Sequence, residues 1–196
     1  PLTIVGGFAE TLAGEDVPFE ARRGFAERIL GNTRRMQRIV DDLLDLSRIE
    51  AGVLRIELDD IDMLDTVRNA VHEVATQARA RDVHIHVDVP AGRPITVRGD
   101  RTRLRQVILN LLSNAIKYNQ TKGQVTVLLS ADAAGLQLRV RDSGLGLNAA
   151  QLGALFQPFN RLGQESSAIE GTGIGLVISR SLVELMGGTL TARSEL

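Results

Sequence analysis

The chain has no cysteine among its 196 residues. That rules out a disulfide framework, a thiolate zinc site and a cysteine nucleophile, and it fits a reducing compartment. Excess charge is also lacking: 23 Lys and Arg against 24 Asp and Glu leave a formal net charge of −1. A general nucleic-acid binder carries clustered excess base to follow phosphates, so no nucleic-acid partner is expected. No uncharged apolar run approaches the roughly 20 residues that cross a bilayer, and nothing reads as a signal peptide. No membrane contact is therefore expected of these residues. Repeats and low-complexity tracts are missing. Aromatic residues are scarce at 3%. What remains is an ordinary soluble composition, 43% hydrophobic and 24% charged, with length for one large or two small domains.

Periodicity divides the chain near residue 52. Residues 1 to about 12 read as a helix opening on Pro1, a residue tolerated in a first turn, and "AGEDVP" breaks it. A second helix spans 19 to 50. Ile29, Met36 and Leu43 recur every seventh residue, with Val40 and Leu46 between them and charged residues around, a heptad-like seam. At ~1.5 Å per residue this helix is roughly 45 Å long. One such hairpin buries its seam poorly, which predicts a two-fold homodimer forming a four-helix bundle. Gly52 ends the helix. Beyond it, "VLRIEL" alternates like a strand and 62–81 is helical. Strands follow at 83–89 and 95–99, a helix at about 100–118, and strands at 124–131 and 136–142. A long loop with short helical pieces covers 143–170, then a helix covers about 174–186, and "TLTARSEL" starts a strand. The order predicts an α+β chain: a helical hairpin over 1–52 and an α/β sandwich over 53–196.

Four stretches carry chemistry. In "LRQVILNLLSNAIKYNQ", Leu104, Ile108, Leu111, Leu112 and Ala115 form an apolar stripe. Asn110, Asn114, Lys117 and Tyr118 share another face at i, i+4, i+7, i+8. Asparagine is a poor helix former, so two of them one turn apart call for a reason. Their neutral carbonyl oxygens suit Mg²⁺, which leans on substrate phosphates, and Lys117 offsets phosphate charge. "VRDSGLGL" puts Asp142 at a strand end beside Gly144 and Gly146. Its carboxylate suits the amino group of adenine and repels the carbonyl of guanine, a discrimination of ~1–3 kcal/mol. "EGTGIGLVIS" places Gly171, Gly173 and Gly175 at a helix start, where free N–H groups favour phosphate. No βαβ unit surrounds it and no GKS or GKT follows, so neither a Rossmann site nor a P-loop is indicated. Between these lies "LFQPFNRLGQESSAIEGTG", with Phe156 and Phe159 in a polar loop. It reads as a nucleotide lid whose Arg161 can reach a terminal phosphate.

In order and spacing, "NLLSNAIKY", "DSGLG", "LFQPF" and "GTGIGL" resemble the nucleotide boxes of the sensor histidine kinases of bacterial two-component systems. "MQRIVDDLLDLSRIEAG" looks like the end of their dimerisation domain. "PLTIVGGFAETL" resembles the residues that follow their phospho-acceptor histidine. The resemblance implies a dimerisation and phosphotransfer hairpin joined to a Bergerat-type ATP-binding sandwich, the fold shared with gyrase and Hsp90-like ATPases. It implies ATP and Mg²⁺ as ligands, with Asn114 and Asn110 at the metal, their order of directness open. Lys117 and Tyr118 would contact phosphate or ribose, and Asp142 adenine. Gly144, Gly146, Phe156, Phe159, Gly171, Thr172, Gly173, Ile174, Gly175 and Leu176 would line the nucleotide. Asn110, Lys117 and Arg161 would serve catalysis. A response regulator receiver domain is the implied second partner, and the implied parent is anchored in a bacterial inner membrane with this portion cytoplasmic.

Two departures stand out. The family's acceptor histidine commonly lies in H-E/D-x-R-T-P-L, which puts it a few residues ahead of Pro1, and the family usually continues past "TLTARSEL". The chain therefore reads as a fragment clipped at both ends. His72 falls within a helix, and His84 and His86 share one strand face with no third ligand near, so none replaces the acceptor and a metal pair is not indicated. Gyrase-type and chaperone-type machines carry a glutamate where Asn110 stands, as general base; asparagine cannot act so. A degenerate sensor that only dimerises and docks is the remaining alternative. Incubating the chain with γ-labelled ATP is expected to leave no phosphate on any of its three histidines, as read by acid-labile label.

Overall fold

The computed structural model describes residues 2–14, 17–89, 95–132, 135–163 and 171–195. Residues 1, 15–16, 90–94, 133–134, 164–170 and 196 lie outside the described residues, and with them part of the stretch expected to form a nucleotide lid. The chain forms two compact units, Pro1–Val53 and Leu54–Leu196.

The first unit is a helical hairpin of α1 (Leu2–Ala13) and α2 (Phe19–Glu50). The Phe8 and Phe25 rings stack at 5.4 Å between centroids, and the Arg28 guanidinium lies 5.4 Å from the Phe8 ring. The α2 helix ends through Ala51 in helical conformation and Gly52 at φ +65°, a left-handed stop that glycine adopts freely. No residue of either helix is buried. Ile4, Leu30, Val40, Leu43 and Leu44 are all exposed. Two helices side by side have no interior, so the seam has no cover within one chain.

The second unit is an α+β sandwich. Its strands are β1 (Asp59–Asp62), β2 (His84–Asp88), β3 (Thr96–Gly99), β4 (Gln124–Asp132) and β5 (Gly135–Asp142). Its helices are α3 (Met63–Ala80), α4 (Arg101–Lys117), the short α5 (Ala149–Gly153) and α6 (Gly175–Leu185). A mixed sheet runs β2-β4-β5, with β2 and β4 parallel and β4 and β5 antiparallel, and β1 and β3 make a separate antiparallel ribbon. The period-2 pattern aims Val125, Val127 and Leu129 of β4 into the core. There they join Val67, Ala70 and Val74 of α3 and Ile108, Leu112 and Ile116 of α4 in one cluster. Caps define both helix starts. The Asp62 side chain accepts from the N–H groups of Leu64 and Asp65, and that of Asp100 accepts from Arg103 N–H.

Two strand expectations need correction. Residues 53–58 alternate in burial but form no strand; β1 begins only at Asp59. Its ladder to β3 starts at the Asp59–Gly99 pair, because beyond Gly99 the chain turns into α4 at Asp100 and offers no further edge. Glu57 N–H donates instead to the Asp100 carboxylate at 3.2 Å. Residues 189–195 likewise form no strand. A strand requires a ladder partner, and this segment meets the chain after β5 through a side chain: Leu147 N–H donates to Ser194 Oγ at 2.8 Å.

Leu112 is 0% exposed on the helix that bridges sheet and site. Leu112→Ala is expected to cost the sandwich about 2–5 kcal/mol, measured by urea denaturation.

Candidate functional site

The site is built on the face of α4 opposite its core stripe. Asn110, Asn114 and Lys117 stand there at helical spacing, and Tyr118 caps the helix end. Asn110 Nδ2 donates to Ser179 Oγ of α6 at 2.8 Å, and Asn114 Nδ2 makes a long 3.5 Å contact to Asn110 Oδ1. Lys117 Nζ lies 3.2 Å from the Tyr118 hydroxyl and 4.7 Å from the centre of its ring. At the same end, Arg81 Nη1 donates to the Lys117 carbonyl at 3.0 Å, placing a cation on one of the open carbonyls of α4.

The glycine segment before α6 lies against this face. A Cβ on Gly171 would stand 2.8 Å from Lys117 Nζ, and one on Gly175 2.7 Å from Asn110 Oδ1. Real Cβ atoms do not approach so closely, so a side chain at either position would push Lys117 or Asn110 out of its present place. Gly173 has φ +72°, and its carbonyl accepts Phe159 N–H at 3.1 Å, tying the lid stretch to the glycines. Thr172 Oγ1 accepts Ile174 N–H at 3.2 Å, while the Ile174 side chain belongs to the interior. Gly175 and Leu176 open α6 as half-buried residues.

The end of β5 closes the other side. Gly144 N–H donates to Asp142 Oδ1 at 2.9 Å, leaving Oδ2 outside that turn. A Cβ on Gly144 would stand 2.6 Å from the Tyr118 carbonyl, so the Asp142 turn sits directly on the end of α4. Gly146, at φ +72°, continues the turn. Burial raises the Tyr118 hydroxyl pKa above the usual tyrosine value, and the nearby Arg161 cation pulls it back down. The structure thus gathers Asn110, Asn114, Lys117, Tyr118, Asp142, Gly144, Arg161 and the 171–175 glycines around the last two turns of α4. Phe156 instead packs against α6, under the Arg180 guanidinium at 5.1 Å. Phe159 is exposed, with φ +62°. All three histidines are exposed, and among the described residues no group of three metal-ligating side chains occurs.

Residues 1–52 match the His Kinase A (phospho-acceptor) domain. Residues 99–196 match the family described as histidine kinase-, DNA gyrase B-, and HSP90-like ATPase. The chain belongs to the sensor histidine kinases. Among curated kinases it is 30% identical over 198 residues to histidine protein kinase DivJ of Caulobacter vibrioides, covering 100% of this chain and 33% of DivJ. The first curated relatives it matches are all longer, and the chain spans about a tenth to a third of their lengths. Its fold superposes on histidine kinase AdeS of Acinetobacter baumannii with TM-score 0.79 at 23% identity, covering 100% of this chain and 89% of that one. Full-length ShkA, solved in complex with AMPPNP, superposes with TM-score 0.72 at 25% identity, covering 99% of this chain and 41% of ShkA.

Reading the sequence missed three residues of this histidine kinase's site region: Ser179, Arg81 and Arg180. Ser179 had one available signal, its place four residues after Gly175 on the face of α6 that returns to the glycines. Arg81 and Arg180 act through contacts between elements distant in sequence and left no signal. Tyr118 is the chain's single tyrosine, so phenolate absorbance reports it alone. Its titration midpoint is expected above 10.0, and Arg161→Gln should move it further up by removing the cation that favours phenolate.

Proposed function

We propose that this chain is the kinase core of a sensor histidine kinase that binds Mg-ATP at the end of α4. The γ-phosphate would pass to a histidine of the hairpin's family pattern, and from there to an aspartate on a response regulator. The observation that carries the reading is the glycine backbone laid so close to Lys117 and Asn110 that a Cβ there would displace their side chains. A backbone that close to an ammonium and an amide brings its N–H groups and those side chains within reach of one common ligand, and a polyphosphate suits that donor set.

Each group has a chemical task. Asp142 uses one oxygen on its own turn and has the other for the adenine amino group. The residues fit Mg²⁺: Asn110 and Asn114 offer neutral oxygens, and the ion takes most of its charge complement from phosphate. Bound there, the metal would neutralise phosphate oxygens as transferred charge develops. Lys117 and Arg161 add positive charge to the terminal phosphate, while Tyr118, kept neutral, offers its hydroxyl or ring to phosphate or ribose. Catalysis of this kind is mostly positioning and charge neutralisation. The exposed seam of the hairpin, in the part that matches the phospho-acceptor domain, supports assembly as a homodimer.

The deciding experiment measures ATP affinity with and without Mg²⁺ for this chain and for Asp142→Asn. The chain should bind ATP more tightly with Mg²⁺. Asp142→Asn should weaken ATP binding about tenfold or more and shrink the preference over GTP, by misdirecting the hydrogen bond to the adenine amino group. No ATP binding by the unsubstituted chain would refute the proposal and favour a degenerate sensor that only dimerises and docks.

A further inference from the structure

We infer that Ser179 is a positioning residue that holds the Asn110 amide, and through it that of Asn114, in place toward Mg²⁺ and phosphate. The inference rests on the nucleotide reading above and assigns a residue that reading does not use. Ser179 lies inside α6 and is 2% exposed. The other buried polar side chain among the described residues, Thr66, turns its hydroxyl back to the Asp62 carbonyl at the start of its own helix. Ser179 instead accepts from another helix, taking Asn110 Nδ2 at 2.8 Å. Asn110 Oδ1 in turn faces Asn114 Nδ2 at 3.5 Å. Donors therefore run one way, from Asn114 to Asn110 to Ser179.

That direction has a chemical consequence. The last torsion of asparagine is broad and roughly two-fold, so the helix alone does not choose between amide nitrogen and oxygen. An amide whose nitrogen is committed on one side presents its oxygen on the other. With Asn110 nitrogen held by Ser179, its oxygen lies toward Asn114 and the first residue of α6, where a Gly175 Cβ would stand 2.7 Å away. Asn114, whose nitrogen faces Asn110 at 3.5 Å, carries its own oxygen on the other branch of the amide. Both flipped amides would show N–H donors, the wrong polarity for a cation. Ser179 anchors the series from outside α4, and it couples the start of α6, where phosphate is read, to the amides that would read the metal.

The test uses the full 196-residue chain and AMPPNP, titrated calorimetrically with and without Mg²⁺. Ser179→Ala is expected to cut the Mg²⁺-dependent gain in affinity about tenfold, more than it lowers metal-free affinity, by releasing the Asn110 amide. Ser179→Thr, which keeps the acceptor oxygen, should recover most of the gain. A folded Ser179→Ala with the full Mg²⁺ gain overturns the inference. Absence of any binding by the unsubstituted chain overturns the nucleotide reading itself and this inference with it. Should Ser179→Ala fail to fold, side-chain amide exchange in the unsubstituted chain decides by NMR. Asn110 amide protons exchanging much more slowly than those of exposed Asn69 support the inference, and equal rates overturn it.

Discussion

The whole candidate site depends on how α4 is rotated about its own axis. Val107, Ile108, Leu112 and Ile116 hold one side of it in the core, with Leu112 and Ile116 at 0% exposure. That packing fixes where Asn110, Asn114 and Lys117 point, since neighbouring positions on a helix are about 100° apart. A slip of one residue would carry an asparagine into the apolar cluster and a leucine to the glycines. The glycine segment adds a second constraint from the opposite side, because the lack of side chains at Gly171 and Gly175 lets it lie close against the polar face. Held between a close-packed interior and a backbone without side chains, α4 has one seating. Core and site are in this sense the same structure viewed from two sides.

The two units reach stability by different physics. The sandwich has a continuous cluster joining both layers, so its fold is supported within one chain. The hairpin has one aromatic stack and a cation over it, with no buried residue in either helix. Intrinsic propensity carries long isolated helices only marginally. The apolar positions of α2 make sense as a surface completed by association, and that is where the phospho-acceptor family match falls.

Much of this was legible in sequence because helices announce themselves by spacing. The α2 bounds and the polar face of α4 follow from local patterns that tertiary context had no reason to override. The strands at 53–58 and 189–195 were misread because alternation reports which residues face inward, not whether a neighbouring chain is there to pair. Leu54 and Ile56 do turn inward; they simply have no ladder. Within the site, single residues such as Asp142 and Lys117 could be named from motifs. Their proximity could not, and the hydrogen bond from Asn110 to Ser179 spans 69 positions in sequence. Glycine at 171 and 175 was readable as phosphate chemistry, but the steric reason, a lysine amine and an asparagine oxygen where a methyl group would go, needs coordinates.

The Arg81 contact carries an implication of a different kind. It follows the C-terminus of α3, yet its guanidinium holds the carbonyl of the very residue that presents the site's ammonium group. The corner between α3 and β2 is thereby mechanically linked to the terminus of α4. Lengthening that corner by even one residue would shift this guanidinium, and the end of α4 that carries Lys117 would move with it.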